Sequence, residues 1–172
     1  MNAIVAVDLN WGIGYRGKLL ERIPEDMKFF KQMTLGKVVV MGRETFESLP
    51  GNEPLKDRTN IVLSKNENFK NEKVIVCRTL TELFLELEKY NLDDVFVIGG
   101  ESIYTQLLQY CTDAYVTRIE QTYEADKYFT NLDKEENWKI VSAGDSKNNN
   151  NIQFSFLKYI NAGLSVFPIE GD

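Results

Sequence analysis

Histidine is absent from this chain of 172 residues. That absence removes the usual general base near neutral pH, the commonest zinc ligand and any Ser-His hydrolytic triad. Cysteine is scarce: Cys77 and Cys111 lie far apart, with no metal-ligand spacing around either. Both read as reduced thiols in or just under the core, the usual place of a free cysteine, and no metal site is expected. Long apolar runs are missing, since none approaches the ~20 residues that a bilayer span needs. The opening Met1-Asn2-Ala3-Ile4-Val5-Ala6-Val7-Asp8 has no basic stretch and reaches a carboxylate too early for a secretory leader. A cytoplasmic chain, off the membrane, is the expectation. Basic charge is also short, with 20 Lys and Arg against 26 Asp and Glu for a net charge of −6. A nucleic-acid surface needs clustered cations to neutralise phosphates, so nucleic acid is not an expected partner. Chemistry here must rest on carboxylates or on a cofactor.

What is present reads as one globular domain. The hydrophobic fraction of 43% and charged fraction of 27% match that class, and a chain of this length buries ~70% of its unfolded surface in one core. Runs rich in Val and Ile at 3–7, 37–41, 60–63, 73–76, 94–98 and 114–119 read as buried strands. Between them, 24–33, 43–49, 79–90 and 101–109 carry apolar residues at helical spacing. The alternation predicts an α/β sheet. In the third helix, Thr79 and Glu82 form a capping-box pattern, and Leu80, Leu83, Phe84, Leu87 and Tyr90 make a stripe that belongs to the core. Two further strands, 139–142 and 152–160, flank the polar run 145–151 and read as a hairpin with a long, mobile connection. Residues 161–172 hold Gly163, Pro168 and Gly171 without periodicity. They read as a tail, disordered or vector-derived, behind a single domain spanning 1–160.

Two strands end in glycine where a helix begins, at Val40-Met41-Gly42-Arg43-Glu44-Thr45 and Val97-Ile98-Gly99-Gly100-Glu101-Ser102. A helix N-terminus offers unpaired N–H groups, and glycine lets an anion approach the backbone. Each turn alone is also what an ordinary strand-to-helix junction looks like. Two in one sheet could face a single extended nucleotide, because ligands of open α/β sheets sit beyond the strands' carboxyl ends. Arg43, Lys65 and Arg78 follow three successive strands, either as solvated surface charges or as one positive edge suited to a phosphate. In Ile23-Pro24-Glu25-Asp26-Met27, Pro24 suits the first helical position, which places Asp26 in the first turn with Phe29 and Phe30 at i+3 and i+4. The dipole there favours the carboxylate, and burial beside aromatics favours the acid. Asp26 is then either an exposed residue complementing the dipole or an acid set in an apolar cleft. The loop from Asp8 to Ile23 holds Gly12, Gly14 and Gly17 and is longer than most connections. It reads as a lid, with an ordinary connection as the alternative.

Assembled in order, these pieces resemble bacterial dihydrofolate reductases from Ile4 to about Ile160. The matching motifs are Val5-Ala6-Val7-Asp8 with Gly12-Ile13-Gly14, Ile23-Pro24-Glu25-Asp26-Met27 and Val40 to Leu49. Arg58 to Ser64, Val97 to Tyr104 and Tyr115 to Ile119 follow. The resemblance implies a mixed, mostly parallel central sheet flanked by four helices, with a C-terminal antiparallel hairpin. It implies NADPH as cofactor, dihydrofolate as substrate, antifolates such as trimethoprim or methotrexate as ligands, and a monomer.

The same resemblance makes Asp26 the catalytic residue, hydrogen-bonding the pterin's amino and ring nitrogens, with Thr117 supporting its carboxylate. It lines the substrate site with Ile4, Val5, Met27, Phe30, Leu49, Leu55 and Ile98, and gives Arg58 to the substrate's glutamate carboxylate, a bidentate fit. Ala6, Ile13 and Gly14 border nicotinamide. Gly42, Arg43 and Thr45 hold phosphates, and Leu63, Ser64, Lys65 and Arg78 hold the adenosine side. Gly99, Gly100, Glu101, Ser102, Ile103 and Tyr104 close the cofactor set, with Gly99-Gly100 resembling the family's cis pair. Where that family commonly reads Leu-Pro-Trp, this chain has Leu20-Glu21-Arg22. Glu21 is expected to stay solvated at the cleft mouth, since a second buried carboxylate near Asp26 would be costly. Two rival readings are a pyrimidine reductase of riboflavin synthesis and a catalytically silent NADPH-binding module.

Overall fold

Alternation of apolar residues along short strands sets two faces of a sheet, and helices cover both. In a computed structural model that describes residues 1–167, the elements run in chain order. They are β1 (Asn2–Val7), β2 (Gly12–Tyr15), β3 (Lys18–Leu19), α1 (Pro24–Thr34), β4 (Val38–Gly42), α2 (Arg43–Ser48), β5 (Thr59–Leu63) and β6 (Ile75–Cys77). There follow α3 (Leu80–Leu87), β7 (Val95–Gly99), α4 (Glu101–Leu107), β8 (Asp113–Ile119), β9 (Lys127–Tyr128), β10 (Trp138–Ala143), β11 (Lys147–Asn149) and β12 (Ile152–Asn161). The large sheet has the order β10-β12-β8-β1-β7-β4-β5-β6, with β11 added against β12. The run from β8 to β6 is parallel, and β12 joins β8 antiparallel. All six parallel strands therefore present their carboxyl ends to one edge.

Side chains divide between the faces with period two. Val38 and Val40 join Val5, Val95, Val97 and Ile61 under α3 and α4, whereas Val39, Met41 and Val62 pack with Phe46 of α2. On α3 the expected stripe faces inward, with Leu83, Phe84 and Leu87 buried and Leu80 and Tyr90 against the same cluster. Each such side chain contributes ~1.5–3 kcal/mol on burial. The cap differs from the expected box in one bond. Thr79 Oγ1 accepts from Glu82 N at 3.1 Å, while the Glu82 carboxylate reaches back to Arg78 N at 2.6 Å. Cys77 and Cys111 are free and buried, and burial pushes their thiols up to about 11 and about 12.

Two expectations change. The polar run 145–151 is not a long loose connection: β11 forms inside it and pairs with β12. Asn150 and Asn151, at φ 50° and 65°, make the tight turn between them, a conformation that asparagine tolerates. Within the glycine-containing stretch after β1, β2 pairs with β3 and with β9 in a separate small sheet. Of residues 161–167, Asn161 closes β12, Ser165 N donates to Gln109 O at 2.9 Å and Phe167 stacks on Phe84 with ring centroids 4.4 Å apart. The remainder of the expected tail, 168–172, lies outside the described residues.

Candidate active site

The carboxyl ends of β1 and β8 and the start of α1 converge on a cleft. Ile23 precedes α1 without a side-chain cap and Pro24 opens the helix. Asp26 thus falls in the first turn, where one face turns back toward the sheet. Its Oδ1 accepts a hydrogen bond from Thr117 Oγ1 at 2.6 Å, across 91 residues of sequence, and Thr117 is 2% exposed. Burial raises the Asp26 pKa above its ordinary 3.8, and the Thr117 bond opposes that rise by stabilising the anion. Asp26 lines the cleft with Ala6, Ile13, Ile23, Met27 and Ile119. Phe29, one turn on, packs on Phe156 with ring centroids 4.5 Å apart. Of the two readings of Asp26, the acid set among apolar groups is the one observed.

Of the other residues nominated for the substrate side, Met27 shares this lining. Met27 is 46% exposed, Phe30 is half-buried, and Val5 is buried in the main core. Leu49, Leu55 and Ile98 pack together on the α2 side of the sheet. The Ile4 carbonyl accepts from the Tyr104 hydroxyl at 2.7 Å, so one lone pair is engaged inside the protein. Arg58 donates from Nε to Lys56 O at 2.9 Å and from Nη1 to Thr34 Oγ1 at 3.1 Å, which fixes its guanidinium.

The two glycine turns are neighbours, because β4 pairs with β7. A side-chain carbon added at Gly42 would stand 3.0 Å from Ile103 Cγ1, and one at Gly100 would stand 3.4 Å from Thr45 Oγ1. Gly99 holds φ 128°, which disfavours any side chain, and the Gly99–Gly100 peptide is cis. Gly42 and Gly100 precede α2 and α4 without any side-chain cap, so no capping side chain takes up the first N–H groups of either helix. Gly14 accepts from Asp126 N at 3.0 Å, and Glu101 accepts from Tyr128 N at 2.6 Å. Ser102 is exposed at the start of α4, with its Oγ accepting from Gln106 at 3.0 Å.

Of the three cations, Arg43 pairs with Glu47 at 2.9 Å and Lys65 is exposed just past Leu63 and Ser64 at the end of β5. Arg78 donates to the carbonyls of Ser64, Asn66 and Phe69 at 3.2, 2.6 and 2.6 Å, pinning the turn 64–69. These groups share the edge formed by β4, β5 and β6.

Two residues that sequence reasoning left without a role, Asp8 and Tyr123, organise the loop that follows β1. Asp8 is 1% exposed; its Oδ1 accepts from Asn10 N at 2.9 Å and Gly12 N at 2.8 Å, and its Oδ2 from Tyr123 N at 2.9 Å. A carboxylate ending a buried strand must find such donors, which was the available signal. Tyr123 also donates its hydroxyl to Glu21 Oε2 at 3.2 Å, and burial, then Glu21, pushes that phenol up to about 12. Glu21 is consequently half-buried on the cleft lining and not simply solvated at its mouth. The tyrosine hydroxyl supplies the compensation for burial.

A family model described as dihydrofolate reductase matches residues 1–161. The chain belongs to the dihydrofolate reductase family. It is 35% identical over 158 residues to the dihydrofolate reductase of Bacillus subtilis strain 168, covering 91% of each chain. With the Staphylococcus aureus dihydrofolate reductase it shares 32% identity over 162 residues, covering 93% of this chain and 97% of the relative. A solved structure of the Enterococcus faecalis enzyme, complexed with NADP(H) and RAB-propyl, superposes with a TM-score of 0.81 at 34% identity. That alignment covers 93% of this chain and 95% of the other. The expected fold class is the observed one. No helix among the described residues is long and apolar enough to cross a membrane, and no cluster there could hold a metal ion.

Proposed function

We propose that Asp26 anchors the pterin of dihydrofolate and that the chain performs the reaction of its family, the NADPH-dependent reduction of dihydrofolate to tetrahydrofolate. The observation that supports it most is the hydrogen bond from Thr117 to Asp26, a carboxylate that lines the cleft beside Ala6, Ile13, Ile23, Met27 and Ile119. A carboxylate held there accepts from the amino and ring N–H groups of a flat heterocycle. Met27, Phe30, Leu49, Leu55, Val5 and Ile98 surround the ring, the Ile4 carbonyl meets its edge, and Arg58 pairs with the glutamate tail.

The dinucleotide's fit rests on the glycine edge. Two uncapped helix starts, backbone bare of side chains at Gly42, Gly99 and Gly100, and Thr45 between them suit a pyrophosphate. Arg43, Lys65 and Ser64 suit a 2′-phosphate, with Leu63 and Arg78 shaping the adenosine side and Glu101, Ser102, Ile103 and Tyr104 backing the turn. Ala6, Ile13 and Gly14 border the nicotinamide. When bound, NADPH supplies the hydride. The protein excludes bulk water, aligns the rings and, through Asp26, favours the protonated pterin, the proton arriving through water. A pyrimidine reductase gives no use to Asp26, Phe30 and Arg58 together, and the matched family is dihydrofolate reductase.

Replacing Asp26 tests the assignment. Asp26→Asn is expected to lower turnover at pH 7 about a hundredfold, the scale of a lost acid–base group, with partial recovery in acid. Full activity of that variant at pH 8 would contradict it.

A further inference from the structure

Successive residues of a strand send their side chains to opposite faces, so Arg118 leaves β8 on the side away from Thr117 and Asp26. The strand register sets it beside Val7, where β1 gives way to the loop that follows. Arg118 Nη2 donates to Asp133 Oδ2 at 2.7 Å and to the Tyr159 hydroxyl at 3.0 Å, and that hydroxyl donates to Asp133 Oδ1 at 2.8 Å. The three groups close a ring of hydrogen bonds, with Tyr159 buried at its base.

Held in this way, the guanidinium lies over Trp11, its Cζ 5.3 Å from the ring centroid, which is cation–π range. Trp11 is buried and stands at φ 62°, a conformation that a bulky residue keeps only where its surroundings impose it. On the backbone, Asp8 Oδ1 takes the N–H groups of Asn10 and Gly12 on either side, and Trp11 O accepts from Phe129 N at 2.8 Å. On the ring, Phe129 stacks with centroids 6.2 Å apart and Tyr159 meets it edge-on at 6.1 Å. Phe129 in turn meets Tyr104 edge-on at 4.8 Å, and the Tyr104 hydroxyl bonds the Ile4 carbonyl. Gly12 and Ile13, the two residues after Trp11, line the cleft. Trp11 therefore joins the cleft wall to the Arg118 cluster.

We infer that Arg118 is a positioning residue for hydride transfer: with Asp133 and Tyr159 it fixes the Trp11 ring, and Trp11 fixes Gly12, Ile13 and Gly14 beside the nicotinamide. The loop is then preset and does not have to be ordered when the coenzyme arrives. Because Arg118 acts through Trp11, its effect falls on the rate of the chemical step and not on affinity for dihydrofolate. The inference rests on the reductase reading of the cleft proposed above.

The test is single-turnover oxidation of NADPH by the full chain with saturating dihydrofolate, followed by stopped-flow absorbance at pH 7. Arg118→Met keeps the length and apolar stem but loses the charge and both donated bonds. It is expected to slow the hydride step about tenfold, short of the hundredfold that a 1 Å misplacement can cost, with KM for dihydrofolate within about twofold. Acrylamide quenching of tryptophan fluorescence is expected to rise in the same variant, reporting a less confined Trp11 against the one other tryptophan, Trp138. Asp133→Asn, at an exposed position, weakens the anchor and is expected to move both readings the same way by smaller factors. It carries the test should Arg118→Met fail to fold. An unchanged single-turnover rate, or slowing without any change in quenching, would overturn the inference and leave the proposed function standing. Absence of dihydrofolate-dependent oxidation in the unmodified chain would remove the proposed function, and this inference with it.

Discussion

At Asp26 two forces oppose each other: partial burial favours the neutral acid, and the Thr117 hydroxyl favours the anion. Removing the hydroxyl leaves burial unopposed. Thr117→Val is therefore expected to shift the acid limb of the kcat/KM profile to higher pH, so that activity falls off earlier as pH is lowered. A profile identical to that of the unmodified chain would show that the bond does not tune the acid. Asp26 was legible in the sequence because Pro24 fixes the helix start and Phe29 and Phe30 follow at helical spacing. Its partner was not legible from spacing, since 91 residues separate them, and Thr117 entered only through resemblance. Glu21 was noticed as a departure, but its burial depends on Tyr123, which no local pattern connects to it.

Among the elements, the strands that build the parallel sheet were readable because each is a short Val and Ile run ending in a turn signal. β2, β3 and β9 were not, being two to four residues long and without period. Their pairing depends on the connection after β8 meeting the stretch after β1, as in the bond from Leu9 N to Gln121 O at 3.0 Å. The turn from β7 to α4 belongs to this scale too. Gly99 stands at φ 128°, a backbone region that other residues occupy at a cost of ~1–3 kcal/mol. Gly99→Ala is expected to lose stability of that order in urea denaturation and to weaken coenzyme binding in titration. Full stability together with full affinity would show that the turn does not need its glycine.

Across the whole molecule, the chemistry at the cleft costs stability. Because burial raises the Asp26 pKa above 3.8, the native chain holds that proton more tightly than the unfolded one. The stabilising contribution of the neutral acid is complete below about the unfolded value and is lost as pH rises through the folded one. Asp26→Asn is thus expected to be more stable than the unmodified chain at pH 7, with the difference vanishing near pH 3 to 4 by thermal denaturation across pH. Equal stability at every pH would mean that ionising this group costs nothing.

The reaction itself provides the most direct check on the account. NADPH absorbance is followed at pH 7 after adding dihydrofolate to the purified chain, with NADH in a parallel cuvette. Oxidation that depends on dihydrofolate and is faster with NADPH than with NADH is the predicted result. No oxidation with either coenzyme would contradict the assignment of this cleft as a pterin reductase.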